Sequence, residues 1–407
     1  MTTKEYDVIV CGGGVSGVCA ALSAARSGAS VLVVEQTNCL GGTWTSGLVA
    51  WMLDIANKQG YILNEIINTL KESGKGRFAR SNSFIYEPEA MKILLDDMCT
   101  KEGIDICYHT FVCGSQKKGA RLVSVQTVSK SGIKSFFGKT FIDATGDGDL
   151  CALSGAEFDI GNEDGVVQPM SMFAIVSGLN KDSLMEFDNS FEYTGDVSPK
   201  ARLWQEIKRA GIDCSQQKPA LYHLYNDCFL FTANHQYNVY GINAADLTRA
   251  TISARREIGQ IVDSLRSLGG IWQDIHLVAT APSIGVREGR RIKGEYTVTL
   301  DDIYSSRQFE DSICDVSFGI DVHALTKDNT TGYASYGDGK KHSYQIPLAA
   351  AKCFGFENLY MTGRCISGDF PSHASYRVTG NASVIGENVG KFAAKEAKSV
   401  KSDASVQ

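Results

Sequence analysis

The chain has 407 residues, 43% hydrophobic and 21% charged, with a formal net charge of −6. That length exceeds one small core and suggests two lobes, which the chain can interleave. The acidic balance, with no long Lys/Arg stripe, gives no reason to expect nucleic acid or another polyanion.

Five residues, MTTKE, precede the first apolar strand, so no leader is expected, and no uncharged apolar run reaches the roughly 18 residues of a membrane span. Twelve cysteines without a CxxC pair then read as free thiols of a cytoplasmic protein. Residues 6–35, YDVIVCGGGVSGVCAALSAARSGASVLVVE, carry most information. An apolar strand runs into Gly12-x-Gly14-x-x-Gly17, then a small-residue helix, then a second strand ending at Glu35. Gly12 permits the tight turn, Gly14 lets a pyrophosphate approach the backbone, and Gly17 lets the helix lie close on the sheet. Glu35 stands where an acid accepts hydrogen bonds from a ribose. Strand, turn, helix, strand and acid in this order predict a dinucleotide site.

A second glycine cluster, TNCLGGTWTSGL, follows in place of a helix. Helices are predicted over 61–72, with Ile62, Ile66, Ile67 and Leu70 on one side, and from Pro88 to a stop at Gly103. Residues 104–112 read as one strand, on which Cys107 and His109 share a face. A third and fourth metal ligand are not evident, so no metal site is expected. RLVSVQTVSK, IKSFFG and KTFIDAT read as a meander of short strands ending at DATGDGD, residues 143–149. Two charged amphipathic helices are expected near 199–210 and 244–268. A strand at FENLYMTG, a glycine turn and a small-residue helix over 378–397 return to the texture of the N-terminal part, and the last dozen residues read as a loose tail.

Four blocks together resemble the FAD-dependent oxidoreductases whose nucleotide domain is like that of fumarate reductase and succinate dehydrogenase flavoproteins. They are CGGGVSGVCAALSAARSGASVLVVEQ, LGGTWTSGLV, FIDATGDGDLCALSGA and NLYMTGRCISGDFPSHASYRVTGNASVIGENVG. A fifth, VREGRRIKGEYTVTLDDI, is similar to a narrower subfamily's signature. The resemblance implies an α/β chain: a Rossmann-like FAD-binding domain, with a parallel sheet and a β-meander, carrying an inserted α+β substrate domain. The expected division is 1–160 and 341–407 for the FAD domain and 161–340 for most of the substrate domain.

The resemblance also implies FAD contacts. Gly12, Gly14, Val15, Ser16 and Gly17 would hold the pyrophosphate, and Glu35 the adenosine ribose, with Gln36 and Val112 nearby. Gly41, Gly42 and Thr43 would wrap the pyrophosphate and ribityl region. Ala144, Thr145, Gly146 and Asp147 would lie beside the cofactor, closed by Gly363, Arg364 and Asp369. A helix beginning near Asn381 would point its positive end at the flavin ring, where it stabilises developing negative charge. No His lies in the stretch where many respiratory relatives attach flavin covalently, so FAD is expected to be non-covalent. Cys39, close by, reads as a buried thiol.

The catalytic candidates are His373 and Arg377 in DFPSHASYRV and Arg287 in the charged run VREGRR. His373 is readable as an acid or base or as a His that hydrogen-bonds backbone, and Arg377 as a carboxylate clamp or as an Arg satisfying loop carbonyls. The run containing Arg287, Glu288, Arg290 and Arg291 is equally readable as surface ion pairs on a solvated strand. Tyr344 and Tyr376 are readable as pocket walls or as core. With no second GxGxxG unit, an external electron donor or acceptor, or the substrate itself, must reach the flavin. Three functions stay open: hydride transfer between flavin and a small organic substrate, a monooxygenase or oxidase using O2, and a non-catalytic FAD carrier. Oligomeric state is not readable.

Overall fold

The computed structural model describes residues 4–56, 58, 60–80, 83–329 and 342–399. Its helices, in chain order, are α1 (Val15–Arg26), α2 (Tyr61–Glu72), α3 (Pro88–Lys101), α4 (Asp149–Leu153), α5 (Pro199–Arg209), α6 (Ala244–Ser267), α7 (Leu300–Tyr304), α8 (Phe370–Tyr376) and α9 (Thr379–Ser399). None of them is long and apolar enough to cross a membrane.

A seven-stranded sheet forms the centre. Its parallel part runs Asp105–Cys107, Val31–Val34, Glu5–Cys11, Gly132–Asp143, Leu359–Met361, so a strand from the C-terminal part closes on strands from the N-terminal part. These strands are nearly continuous apolar runs because both faces are covered. Arg121–Ser129 and Phe111–Lys118 continue the sheet antiparallel from the first half of the long strand.

α1 and α9 pack closely on this sheet. A Cβ at Gly386 would come within 2.1 Å of the Ser16 carbonyl oxygen, and one at Gly390 within 2.1 Å of that of Ala20. The two glycines, one turn apart, therefore bring the helices backbone to backbone and set the first turn of α1 against α9 about two turns from its start. A second, four-stranded antiparallel sheet has the order Ala220–Tyr225, Cys228–Thr232, Ala174–Ser177, His276–Thr280, with α5 and α6 against it. Strand Ser312–Val316 pairs with Tyr344–Pro347 and packs on α9, so the expected boundary at 340 cuts through a strand pair. One contiguous core extends through both sheets.

Several expectations change in detail. Residues 104–112 are two strands, broken at Tyr108–Thr110, where His109 adopts φ +53°. Cys107 lies on the parallel side of that break and Cys113 on the antiparallel side, so the shared strand face expected for Cys107 and His109 does not form. IKSFFG and KTFID are one continuous strand, because Gly138 sits against Ile9 and lets the chain pass straight through. α8 was not anticipated in the closing block. The last dozen residues begin inside α9, and 400–407 lie outside the described residues.

Candidate active site

The carboxyl ends of the parallel strands gather the glycine loops. Gly12 has φ +100°, and a Cβ there would strike the Ala144 carbonyl at 2.4 Å. Gly17 has no room either, since its Cβ would lie 1.9 Å from the Gly12 oxygen. Gly14 differs: it caps α1 in an extended conformation, and the nearest atom to an added Cβ is the Gly42 Cα at 4.0 Å. Open space thus faces the α1 N-terminus, where no acidic side chain occupies the first turn. The Gly41 N–H donates to the Gly13 oxygen at 2.8 Å, which lays the second glycine cluster, with Gly42 and Thr43, along the first.

Glu35 is buried at the end of its strand. Its carboxylate accepts from Gly13 N at 2.7 Å and from Thr37 N and Oγ1 at 2.7 and 2.8 Å. These bonds hold the acid beside the loop. Gln36 is exposed next to it, and Thr110 N donates to the Glu35 carbonyl, bringing the strand of Val112 to the same edge.

The closing block meets the opening one. A Cβ at Gly363 would reach the Ser16 Oγ at 2.6 Å, so this turn seats on the first turn of α1, next to Val15. Arg364 pairs with Asp147 at 2.7 Å, and its guanidinium fills the space a side chain on Gly146 would need. Ala144 and Thr145 lie against Gly12, with Thr145 bonded to the buried Asp143. Asp369 has a capping role that was not anticipated. Its oxygens accept from Ser372 N and Leu300 N, both at 2.8 Å, so the carboxylate caps α8 and ties it to α7. Asn381 lies buried in the first turn of α9, and its Nδ2 has no partner among the described residues.

A wall of charged and polar groups adjoins that turn. Arg377 ends α8, two residues before α9, and donates to the Asp321 carbonyl at 2.8 Å, with the Asp321 carboxylate at 3.4 Å. Asp321 also faces His323, whose Nε2 lies 3.5 Å away. Gln168 is buried and links the two, its Oε1 accepting from His323 N at 3.1 Å with Arg377 at 3.4 Å. Arg287 donates to the Pro169 carbonyl at 2.6 Å and to Ser171 Oγ at 2.9 Å, and its Nη2 stands 3.5 Å from His235 Nε2. The His235 and His323 rings meet edge to face at 5.1 Å. Tyr237 Oη donates to the Ser215 carbonyl and so accepts from His235 Nδ1, which leaves His235 Nε2 as the acceptor facing Arg287.

The VREGRR run is not solvated. Glu288 and Arg291 are buried together, and Arg291 also donates to the carbonyls of Gly368 and Gly161. Burial holds the Glu288 carboxyl above its usual range, with Arg291 opposing. Arg290 reaches the Asp147 carbonyl and Asp149. His373 is wholly buried in α8, against the Arg364 carbonyl but outside hydrogen-bond geometry. Burial, then the charges of Arg291, Arg377 and Arg364, push its imidazole well below the usual range. Tyr344 and Tyr376 are fully buried, with Tyr376 Oη donating to the Ile366 carbonyl.

Burial and then Arg287 lower His323 to about 4 and His235 well below its ordinary value. Burial opposes ionisation of Asp321, but His323, Arg377 and Arg287 outweigh it and hold that carboxyl well below the usual range. At neutral pH the wall is thus two neutral imidazoles and one carboxylate among guanidiniums. His235, His323, Asp321 and Gln168 were not picked out from sequence. Gln168, His235 and the Asp321-x-His323 pair come from three separate stretches that only the fold joins.

The twelve cysteines are free, Cys39 among the buried ones, and no group of metal-ligating side chains occurs among the described residues. The open cradle at Gly14 and the unpartnered buried amide of Asn381 fit a ligand with phosphates at one end and a hydrogen-bonding ring at the other.

Residues 7–407 match the family described as FAD dependent oxidoreductase. A thiamine thiazole synthase of Methanococcus aeolicus is 27% identical over 168 residues, covering 40% of this chain and 63% of that protein. A 3-oxosteroid 1-dehydrogenase of Mycolicibacterium smegmatis is 49% identical over 53 residues, covering 13% of this chain and 9% of that one. The alignments thus span less than two thirds of either relative. The flavin-dependent brominase Bmp2 superposes with a TM-score of 0.52 at 12% identity, covering 98% of this chain and 81% of that one, which shows a shared fold. The chain belongs to the FAD-dependent oxidoreductase family, an enzyme with FAD as its cofactor.

Proposed function

We propose that this enzyme transfers a hydride between FAD and a small, oxygen-bearing organic substrate held against the wall of Arg287, His235, His323 and Arg377. The observation that carries the reading is the position of that wall, built mostly from residues 161–340 and joined through Arg377 to the first turn of α9. Residues 1–160 and 341–407 furnish the FAD seat in this reading.

Gly14 and the α1 N-terminus would face the phosphates, with Gly41, Gly42 and Thr43 alongside. Glu35 would take the ribose, and Asn381 with the α9 N-terminus the ring edge. The absence of His at Gly41–Thr45 and the buried state of Cys39 support a non-covalent cofactor. Bound FAD supplies a two-electron acceptor or donor. Arg287, clamped by Pro169, Ser171 and His235, presents fixed positive charge to a substrate oxygen. In this reading the neutral His323, its Nε2 turned to Asp321, would take a proton from a substrate hydroxyl or carbon. Arg377 positions Asp321, and the buried His373 stands behind Arg377 and Arg291.

Anaerobic stopped-flow with a panel of hydroxy, amino and unsaturated acids, followed by air, tests this. The reading expects one class to change the flavin spectrum, His323→Gln to slow that step about a hundredfold at unchanged FAD content, and reduced flavin to persist in air until an organic acceptor is added. Rapid peroxide or an oxygenated product would support the oxygen-using alternative instead.

A further inference from the structure

The segment 234–237 carries His235 into the wall and is clamped from two sides. On one side lies the run 169–172. Met170 and Gln236 exchange backbone hydrogen bonds at 3.0 and 2.8 Å. The Asn234 side chain holds both the N–H and the carbonyl of Met172, and Ser171 Oγ donates to the Asn234 carbonyl. The same run supplies the Pro169 carbonyl and the Ser171 Oγ that hold Arg287. His235 and Arg287 are therefore mounted on one hydrogen-bonded unit.

On the other side stands Glu257, half-buried on α6. Its carboxylate accepts from Ser215 N at 2.6 Å, from Ser215 Oγ at 2.8 Å and from Gln236 Nε2 at 3.3 Å. All three partners are donors, so only the ionised, acceptor-only carboxylate satisfies them together. Burial raises this carboxyl, while the bonds from Ser215 and the charge of Lys327 pull it back.

Ser215 passes this hold on to His235. With its hydroxyl hydrogen given to Glu257, Ser215 Oγ accepts from His235 N at 2.8 Å. The Ser215 carbonyl accepts from Tyr237 Oη at 3.1 Å, and that phenol oxygen faces His235 Nδ1 at 3.3 Å. A phenol whose hydrogen is committed to a carbonyl offers only a lone pair, so Nδ1 carries the imidazole hydrogen. The contact of Nε2 with Arg287, at 3.5 Å, is the longer of the two, so Tyr237 carries more of the tautomer preference.

We propose that Glu257 is a positioning residue for the wall: through Ser215 and Tyr237 it fixes the His235 tautomer, so that the acceptor Nε2 faces Arg287 and the guanidinium stays aimed. The proposal rests on the reading of the wall as the place of chemistry, and Glu257 itself touches no reacting atom. In the other tautomer an Nε2–H would meet the guanidinium donor to donor and push it away. Glu257→Gln keeps the shape of the side chain but replaces one acceptor oxygen by an NH2 group. A donor then meets a donor at Ser215 or Gln236, and the support beneath Tyr237 is lost.

Nitrogen-15 NMR of the FAD-loaded protein, with the histidine rings labelled, tests the proposal, because the protonated and unprotonated nitrogens of a neutral imidazole resonate far apart. His235→Gln identifies the His235 signals. The wild-type ring carries its hydrogen on Nδ1. Tyr237→Phe lowers the ratio of Nδ1–H to Nε2–H about three- to tenfold, and Glu257→Gln lowers it about threefold or more. The signals of His223 and His276, outside this network, stay where they are. Folding is checked by circular dichroism, and Ser215→Ala, which removes only a hydroxyl, puts the same question if Glu257→Gln does not fold. On the same samples the substrate-driven flavin step slows in Glu257→Gln at unchanged FAD content, and Glu257→Gln adds nothing further in a Tyr237→Phe background. A wild-type ring with its hydrogen on Nε2, or His235 signals in either variant identical to wild type, overturns the proposal. Altered ring signals with an unchanged flavin step reject the wall as the place of chemistry. Unchanged ring signals with a working flavin step reject the role of Glu257 alone.

Discussion

A Gly14→Leu variant separates cofactor retention from folding. The added Cβ has 4.0 Å to its nearest neighbour, and φ −66°, ψ −174° is open to any residue. The change costs some N-cap preference and recovers unfolded-chain entropy, each about 0.5–1 kcal/mol. The apo-protein's melting temperature should then move by no more than about 2 °C. FAD loses more, because the side chain stands where the pyrophosphate meets the α1 N-terminus. Two charge-assisted hydrogen bonds forfeited at about 1.5–3 kcal/mol each weaken binding by roughly two to four orders of magnitude. The assay is the flavin-to-protein absorbance ratio after gel filtration, paired with a thermal melt of the apo-protein. Gly17→Ala is the contrasting control, since its Cβ would lie 1.9 Å from backbone and folding itself should suffer. A Gly14→Leu protein that keeps its full FAD complement would refute the placement of the phosphates.

Other outcomes follow from the same structure. His323 is held near 4 against an ordinary 6.5, so the unfolded chain binds the extra proton between those values. Its contribution, up to about 3 kcal/mol, is complete above pH 6.5 and lost as pH falls toward 4, and His323→Gln should flatten that limb of a plot of melting temperature against pH. His235 and His373 add the same sign and keep the limb from vanishing. Gly386→Val should cost about 3 kcal/mol or more and lower FAD content, because its Cβ meets the Ser16 backbone, whereas Gly259→Ala, in open space inside α6, should gain about 1 kcal/mol. Both are read by chemical denaturation. Arg291→Met should cost about 3–5 kcal/mol by leaving Glu288 buried without its partner, and Arg291→Met with Glu288→Gln should recover part of that.

The nucleotide half was legible because its determinants are local. A glycine that turns a strand into a helix announces itself within six residues, and the helices at 61–72 and 88–101 carry their own period and caps. The role of Gly386 and Gly390 against α1 was hidden, since it depends on a helix some 370 residues away in sequence. The polar wall was less legible still. Arg287 and Arg377 drew notice through neighbouring charge, yet Gln168, His235, Asp321 and His323 acquire meaning only when the antiparallel sheet and α8 meet. Asp369 was ambiguous because an acid after a glycine serves equally as a ligand contact or a helix cap. The N–H groups of Leu300 and Ser372 take the second use. The VREGRR run misled, since charged composition signals solvent unless partners such as Gly161 and Gly368 lie waiting inside.

The most direct test is the cofactor stoichiometry of the purified chain, read from its visible spectrum after incubation with FAD and again after denaturation and ultrafiltration. The account predicts one FAD per chain that passes wholly into the filtrate. A protein that takes up no flavin, or one whose flavin stays with the polypeptide, would contradict it.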